Sequence, residues 1–244
     1  MPAKILIAGG GFGGLYAARE LERRLEPEAV EITLVNDGNF LLYAPLLPGV
    51  GGGTLEPRHV VVPLREELRR TDVRVGTVVG ADLERLVVRM EPSQGGTEKL
   101  SYDHLIVALG STSMHPKIPG LPEHAIPFKS VADALALRNR IMVSFERAEG
   151  IDDPKERASH LSYVFAGGGY KTRGLVVGLG RHKGVASLMG VRLRGFPAWF
   201  VGRSYHLAAM PGTRRRARLM SDWTLAMLFK RDSAQLGGPS GAGG

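Results

Sequence analysis

An α/β fold with a mainly parallel sheet is predicted by three observations. Residues 4–8, apolar after Lys4, have strand length and run directly into Gly9-Gly10-Gly11-Phe12-Gly13-Gly14. Residues 15–25 then place Leu15, Ala18, Leu21 and Leu25 at helical spacing, and residues 30–35 return to a strand pattern. Strand, helix and strand in immediate succession form the unit from which parallel sheets are built. Short alternating runs at 73–79, 86–90 and 100–102, with a turn at Ser93-Gln94-Gly95-Gly96, add a small antiparallel meander.

The remaining elements follow in order. Pro27 ends the first helix. Residues 36–57, rich in Gly, Pro and Leu, are expected to be largely irregular. Residues 60–70 suggest a short strand entering a helix, and 104–109 an apolar strand stopped by Gly110. A proline-rich connector covers 116–127. Ser130 and Asp133 form a capping box that opens a helix to about Ala148. A strand is predicted over 161–166, ahead of Gly167-Gly168-Gly169, so that strand plus triple glycine occurs twice. Residues 171–180 read as strand and turn rather than helix. The final eight residues, 237–244, include five glycines and read as a disordered tail.

The chain has 244 residues and no cysteine. Disulfide frameworks, thiolate metal sites and redox cysteine pairs are therefore excluded. No metal-ligand spacing links the seven histidines; His182 and His206 read as surface or capping groups. The start lacks the pattern of a signal peptide, and no apolar run is long enough to read as a transmembrane helix. The net charge of +8 is concentrated at one end, for residues 171–244 hold 13 Lys/Arg against two Asp/Glu. Such a block suits an anionic partner surface.

Gly9-x-Gly11-x-x-Gly14 lies between strand and helix, the setting a dinucleotide fingerprint requires. Gly9 permits the turn, Gly11 lets a pyrophosphate approach the backbone, and Gly14 lets helix and strand pack closely. The helix N-terminus adds free N–H groups and a positive dipole end. The ribose partner is expected about 20 residues further on. That position is Asn36, with Asp37 beside it; the sequence leaves open that both merely form the turn into Gly38. The second echo has Thr172 where a third glycine is needed, which argues against a working nicotinamide site.

In the basic tail, Phe196, Trp199, Phe200, Leu207 and Met210 share one helical face, interrupted by Arg203. Leu219, Met220, Trp223, Ala226 and Met227 form a second stripe, extended by Leu225, Leu228 and Phe229. Arg214, Arg215, Arg216 and Arg218 precede it, and Lys230 and Arg231 follow. Tryptophans with flanking arginines suit a helix lying in a membrane interface. Packing against the rest of the chain or a dimer partner is the alternative. Nucleic-acid binding is not expected, because no recognition motif accompanies the charge.

Together ILIAGGGFGGLYAARELE, ITLVNDGNFLLYAPLLPGV, YDHLIVALGSTS and YVFAGGGY resemble the two-dinucleotide flavoproteins, most closely the type II, non-proton-pumping NADH:quinone oxidoreductases. The resemblance implies a Rossmann-like FAD/NAD(P)-binding domain, an incomplete second dinucleotide domain and an amphipathic helical C-terminal tail. It divides the chain into an FAD domain at 1–115, a remnant of the NAD(P)H domain at 116–170, a membrane-associating region at 171–236, and the tail. It assigns FAD to Gly9, Gly11, Phe12, Gly13 and Gly14, with Asn36 in place of the family's acidic ribose ligand and Asp37 adjacent. Ala108 and Gly110 match the second flavin-domain motif, and Pro45 lies in a stretch that resembles the loop near the isoalloxazine ring. No catalytic residue is assigned, since the flavin carries the chemistry. The resemblance also implies NADH as substrate, a membrane quinone as acceptor, and peripheral attachment to anionic lipid on the cytoplasmic face of the cell membrane, with a homodimer as one arrangement. The helix that should follow the second triple glycine, and most of the nicotinamide-binding units, have no counterpart, as after an internal deletion near Tyr170. Impaired activity, or a non-catalytic membrane-tethered remnant, is the expected consequence.

Overall fold

The structure, a computed structural model, describes residues 1–111, 119–164, 174–180, 183–188 and 191–228. It contains two compact units, Met1–Ala44 with Pro57–Lys129, and Pro45–Glu56 with Ser130–Gly244.

The first unit is built on a six-stranded sheet. β1 (Ala3–Ala8) pairs in parallel with β2 (Val30–Asn36), and helix α1 (Phe12–Arg24) connects them. The short pair β3 (Phe40–Leu42) and β4 (Val61–Pro63) is antiparallel. The single turn α3 (Leu64–Glu67) follows β4. β5 (Asp72–Asp82) runs parallel to β2 over its first residues, then leaves to pair antiparallel with β6 (Val87–Pro92). β7 (Glu98–Ser101) completes the meander, and β8 (His104–Val107) returns beside β1 in parallel. The order across the sheet is β7-β6-β5-β2-β1-β8. A single turn, α4 (Leu121–His124), lies within the expected proline-rich connector.

β1 sits inside the sheet, and Ile5, Leu6, Ile7 and Ala8 are all buried, as expected of a strand covered on both faces. Leu6 and Val35 pack with Val88, Met90 and Tyr102 beneath the meander. Leu15 and Ala18 are fully buried on α1. Burial of each large aliphatic side chain contributes about 1.5–3 kcal/mol, which is why the α1 face is committed to the sheet. Glu22 fastens the outer side of α1. Its carboxylate accepts the N–H groups of Arg69 (3.1 Å), Arg70 (2.9 Å) and Thr71 (2.9 Å), and the Thr71 hydroxyl at 2.8 Å. Partial burial pushes its pKa up, but these hydrogen bonds outweigh that effect and hold it below the usual glutamate value.

The second unit contains α2 (Leu47–Gly51) and α5 (Val131–Glu149), which pack together. α5 begins with the expected capping box: Asp133 N–H donates to Ser130 Oγ at 3.0 Å, and Ser130 N–H to Asp133 Oδ2 at 2.8 Å. α6 (Pro154–His160) follows, capped by Asp153. Three antiparallel strands, β9 (Gly174–Gly180), β10 (Lys183–Leu188) and β11 (Val191–Arg194), form a second sheet. α7 (Phe196–Ala209) packs on it, and α8 (Thr213–Leu228) packs on α7.

Three sequence expectations are corrected. Residues 36–57 are more ordered than expected, holding β3, a 3₁₀ turn at Ala44–Leu46 and α2, because β3 finds a partner in the distant β4. No strand forms over 161–164, the described part of the predicted 161–166 strand. An apolar run becomes a strand only beside another strand, and α6 takes the residues before it. The tail is not helical throughout: β9 falls within the strand expected over 171–180, but β10 and β11, which were not expected, also form ahead of the helices, through their ladder bonds. Residues 165–173, which include the second triple glycine, Tyr170 and Thr172, lie outside the described residues, as do His182, Phe229 and the 237–244 tail.

Candidate dinucleotide-binding site

The first glycine motif forms at the C-terminal ends of β1, β2 and β8. Gly9 leaves β1 at φ +105°, a region open to glycine and costly for other residues. Its N–H donates to Val35 O on β2 at 2.7 Å. On its other side a Cβ would strike the Ala108 carbonyl and would lie 2.9 Å from Leu109 N. A Cβ on Gly14 would strike the carbonyl oxygen of Gly9. Both glycines therefore serve the fold.

Gly11 differs from them. It is the N-cap of α1 with extended backbone at φ −70°, and a Cβ built there meets no atom of the described residues within 4 Å. Leu15 N–H makes the first helical bond, to Gly11 O. The N–H groups of the turn before it have no helical acceptor and point, with the positive dipole end, out of the N-terminus. Open space in front of free donors is what a pyrophosphate needs. A Cβ on Gly13 would lie 3.5 Å from Ala108 Cβ, so β8 lines the same turn.

The structure brings Gly9, Gly11, Phe12, Gly13, Gly14, Asn36 and Ala108 together. Asn36 Oδ1 accepts Gly10 N–H at 2.7 Å, and Nδ2 donates to Gly38 O at 2.9 Å. Asp37 is exposed. Phe12 is half-exposed and meets Tyr43 edge-on at 5.5 Å between ring centres. Gly110 turns the chain at φ +77° just beyond β8. Pro45 belongs to the second unit, exposed in its 3₁₀ turn.

Gly10 was not singled out in the sequence, although its N–H carries the contact to Asn36. A Cβ there would lie 2.7 Å from Leu64 Cδ1 and 2.9 Å from Asn36 Cγ. Its signal was the unbroken Gly9-Gly10-Gly11 run, where the fingerprint leaves the middle position free. No cluster of three or more His, Cys, Asp or Glu side chains of metal-binding arrangement occurs among the described residues.

The family described as pyridine nucleotide-disulphide oxidoreductase matches residues 3–172. The chain belongs to that family. Among its curated relatives, the type II NADH:quinone oxidoreductase Ndh of Mycobacterium tuberculosis is 37% identical over 169 residues, covering 68% of this chain and 35% of the relative. Demethylphylloquinone reductase NdbB of Synechocystis is 31% identical over 188 residues, covering 74% of this chain and 44% of the relative. The chain thus spans less than half the length of either. NDH2 of Plasmodium falciparum, solved in complex with NADH, has the same fold over 64% of this chain and 32% of its own, with a TM-score of 0.57 at 24% identity. The glycine loop of this oxidoreductase-family chain lies within the matched segment.

In the second unit the two tryptophans of the stripes turn inward, while other members of the same stripes stay exposed. Trp199 and Trp223 are buried, with the Arg203 guanidinium 4.4 Å and 4.7 Å from their ring centres. Arg203, which interrupts the apolar face in the sequence, joins the two helices. Met210 and Leu219 are fully buried, while Phe196, Phe200, Met220 and Leu225 remain exposed. His206 is half-buried rather than at the surface, and burial lowers its pKa. No described helix is long and apolar enough to cross a membrane.

Proposed function

We propose that this chain is the flavin-binding part of an NADH:quinone oxidoreductase, holding FAD on the first glycine loop. The observation that supports this most is the open face of Gly11 in front of the α1 N-terminus, within a segment matched by the family. The residues fit the group: Gly11, Phe12 and Gly13 offer backbone N–H groups to a pyrophosphate, and Ala108 and Gly110 bound the turn from β8. When bound, FAD supplies the redox chemistry linking a reduced nicotinamide to a quinone. The chain's own residues bind and orient it, and no side chain is asked to act as acid, base or nucleophile.

NADH turnover by this chain is proposed to be impaired. A nicotinamide site of the same type needs a strand before its glycine turn and a helix behind it. Residues 161–164 are not a strand, and β9 at Gly174–Gly180 is a strand pairing antiparallel with β10 where the helix would run. That observation favours a second reading, a non-catalytic flavin- or nucleotide-binding remnant tethered to a membrane. The proposed organisation remains an FAD domain at 1–115, a nicotinamide-domain remnant at 116–170 and a membrane-associating region at 171–236. In the last, exposed Phe196, Phe200, Met220 and Leu225 and exposed Arg214 and Arg218 would meet an anionic leaflet on its cytoplasmic face.

Purified chain incubated with FAD, then assayed with NADH and a soluble quinone, separates the readings. Slow, FAD-dependent NADH oxidation supports the oxidoreductase; bound FAD with no turnover supports the remnant. Failure to retain any FAD contradicts the oxidoreductase and the flavin-binding form of the remnant. Flotation with anionic but not neutral liposomes tests the tail.

A further inference from the structure

The six-stranded sheet ends in two strands of equal length, β7 and β8, and their edges differ in kind. β7 carries Lys99 and Glu98, which pairs with Arg74 at 3.0 Å. Charges of this sort keep an open strand edge from pairing with another chain. β8, His104-Leu105-Ile106-Val107, has no Asp, Glu, Lys, Arg or Pro. Among the described residues no strand lies on its far side.

Its register identifies the backbone groups left over. Leu6 is level with Leu105 and Ala8 with Val107, and Ala108 N–H donates to Ala8 O at 2.7 Å. The ladder to β1 therefore uses Ile106 and Ala108, and alternation turns the N–H and C=O groups of Leu105 and Val107 outward. Side chains on this edge are incompletely covered as well. Leu105 packs beneath the meander yet is only half-buried, and Val107 is 68% exposed. Ile106, on the opposite face of the sheet, is half-buried.

We propose that β8 is an interface between two copies of this chain, paired antiparallel about a two-fold axis at Ile106. In that register Leu105 and Val107 of one copy exchange N–H···O=C bonds with Val107 and Leu105 of the second copy, so each outward group gains a partner. Ile106 meets its own copy at the close, non-hydrogen-bonded pair, and Leu105 covers the exposed Val107 across the axis. Over 105–107 the edge is thus its own complement, in hydrogen bonds and in apolar side chains. A charged segment would match the bonds but bury its charge beside leucine and valine, which favours a second copy as occupant. The contact is isologous and runs one sheet through both copies. It goes beyond the flavin reading and does not depend on it.

The experiment is sedimentation velocity of the full chain from nanomolar to micromolar concentration, without nucleotide. Wild type should show a reversible monomer–dimer equilibrium. Val107→Glu places a carboxylate against Leu105 and diagonal to Asp103 of the second copy. It should weaken dimerisation at least about tenfold. Because the side chain is exposed, the melting temperature of the dilute monomer should not change. Val107→Thr keeps the shape and the ladder and should still dimerise. The chain has no cysteine, so Ile106→Cys supplies a single reporter at the axis. On mild oxidation it should link into a covalent dimer faster than Leu83→Cys, placed at an exposed turn. A wild type that stays monomeric throughout overturns the proposal, as does a dimer that Val107→Glu leaves intact. Linkage of folded Ile106→Cys no faster than Leu83→Cys overturns the two-fold register; if Ile106→Cys does not fold, Val107→Glu decides.

Discussion

The α-carbon of Gly14 faces the carbonyl oxygen of Gly9, and a Cβ on Gly14 would run into that oxygen and come within 3.3 Å of Ile7 Cγ2. The helix and strand of the glycine loop therefore touch backbone to backbone. Gly14→Ala should destabilise the first unit by about 1–3 kcal/mol, the usual cost of overpacking. Denaturant unfolding measures it, and an unchanged midpoint would show that the contact can relax freely.

Glu22 ties α1 to residues 69–71 through three amides and a hydroxyl. Its folded pKa lies below the ordinary value of 4.5. The stabilisation is therefore fully present above about pH 4.5 and is lost as pH falls through the depressed folded value. Glu22→Gln should cost about 1 kcal/mol at neutral pH. It should also flatten the acid limb of the stability profile, where pH falls below the ordinary glutamate value. Parallel acid limbs in the two proteins would contradict this account of Glu22.

Arg203 lies between Trp199 and Trp223, the only tryptophans of the chain. Tryptophan emission therefore reports on this junction between α7 and α8 alone. Arg203→Ala should shift the emission to the red and lower stability by about 1–2 kcal/mol, from two partly buried cation–π contacts. Unchanged emission and unchanged melting would mean that the helices hold together without it.

Much of the first unit was legible because its signals are local. β1, the glycine loop, α1 and β2 follow one another with short connections, and the α5 capping box is written in four residues. The meander showed through its alternation and its Ser93–Gly96 turn. Elements that depend on distant partners were hidden. β3 is three residues long and exists because β4 lies opposite, about twenty positions away in sequence. β10 and β11 are only six and four residues long, too short for their pattern to stand out, and hydrogen-bond pairing decides them. The apolar residues at 161–164 showed the converse, a strand pattern with no neighbouring strand. At the site, the fingerprint told where the ligand's phosphates would go. It could not show that the Asn36 amide is already engaged by Gly10 and Gly38. Nor could spacing reveal that Arg203 lies between the tryptophans; it reads there as an interruption.

Of the three fingerprint glycines, Gly9 and Gly14 are required by backbone conformation or packing, while Gly11 faces no atom of the described residues within 4 Å of a built Cβ. The most direct measurement is therefore FAD titration of wild type and Gly11→Asn, followed by flavin fluorescence, beside unfolding of both apoproteins. Asn serves as an N-cap as well as glycine does, so folding stability should agree within about 0.5 kcal/mol. FAD affinity should fall at least about tenfold, because the side chain occupies the space in front of the helix N-terminus. Equal FAD affinity in the two proteins, or no FAD binding by wild type, would contradict the assignment of this loop as the flavin site.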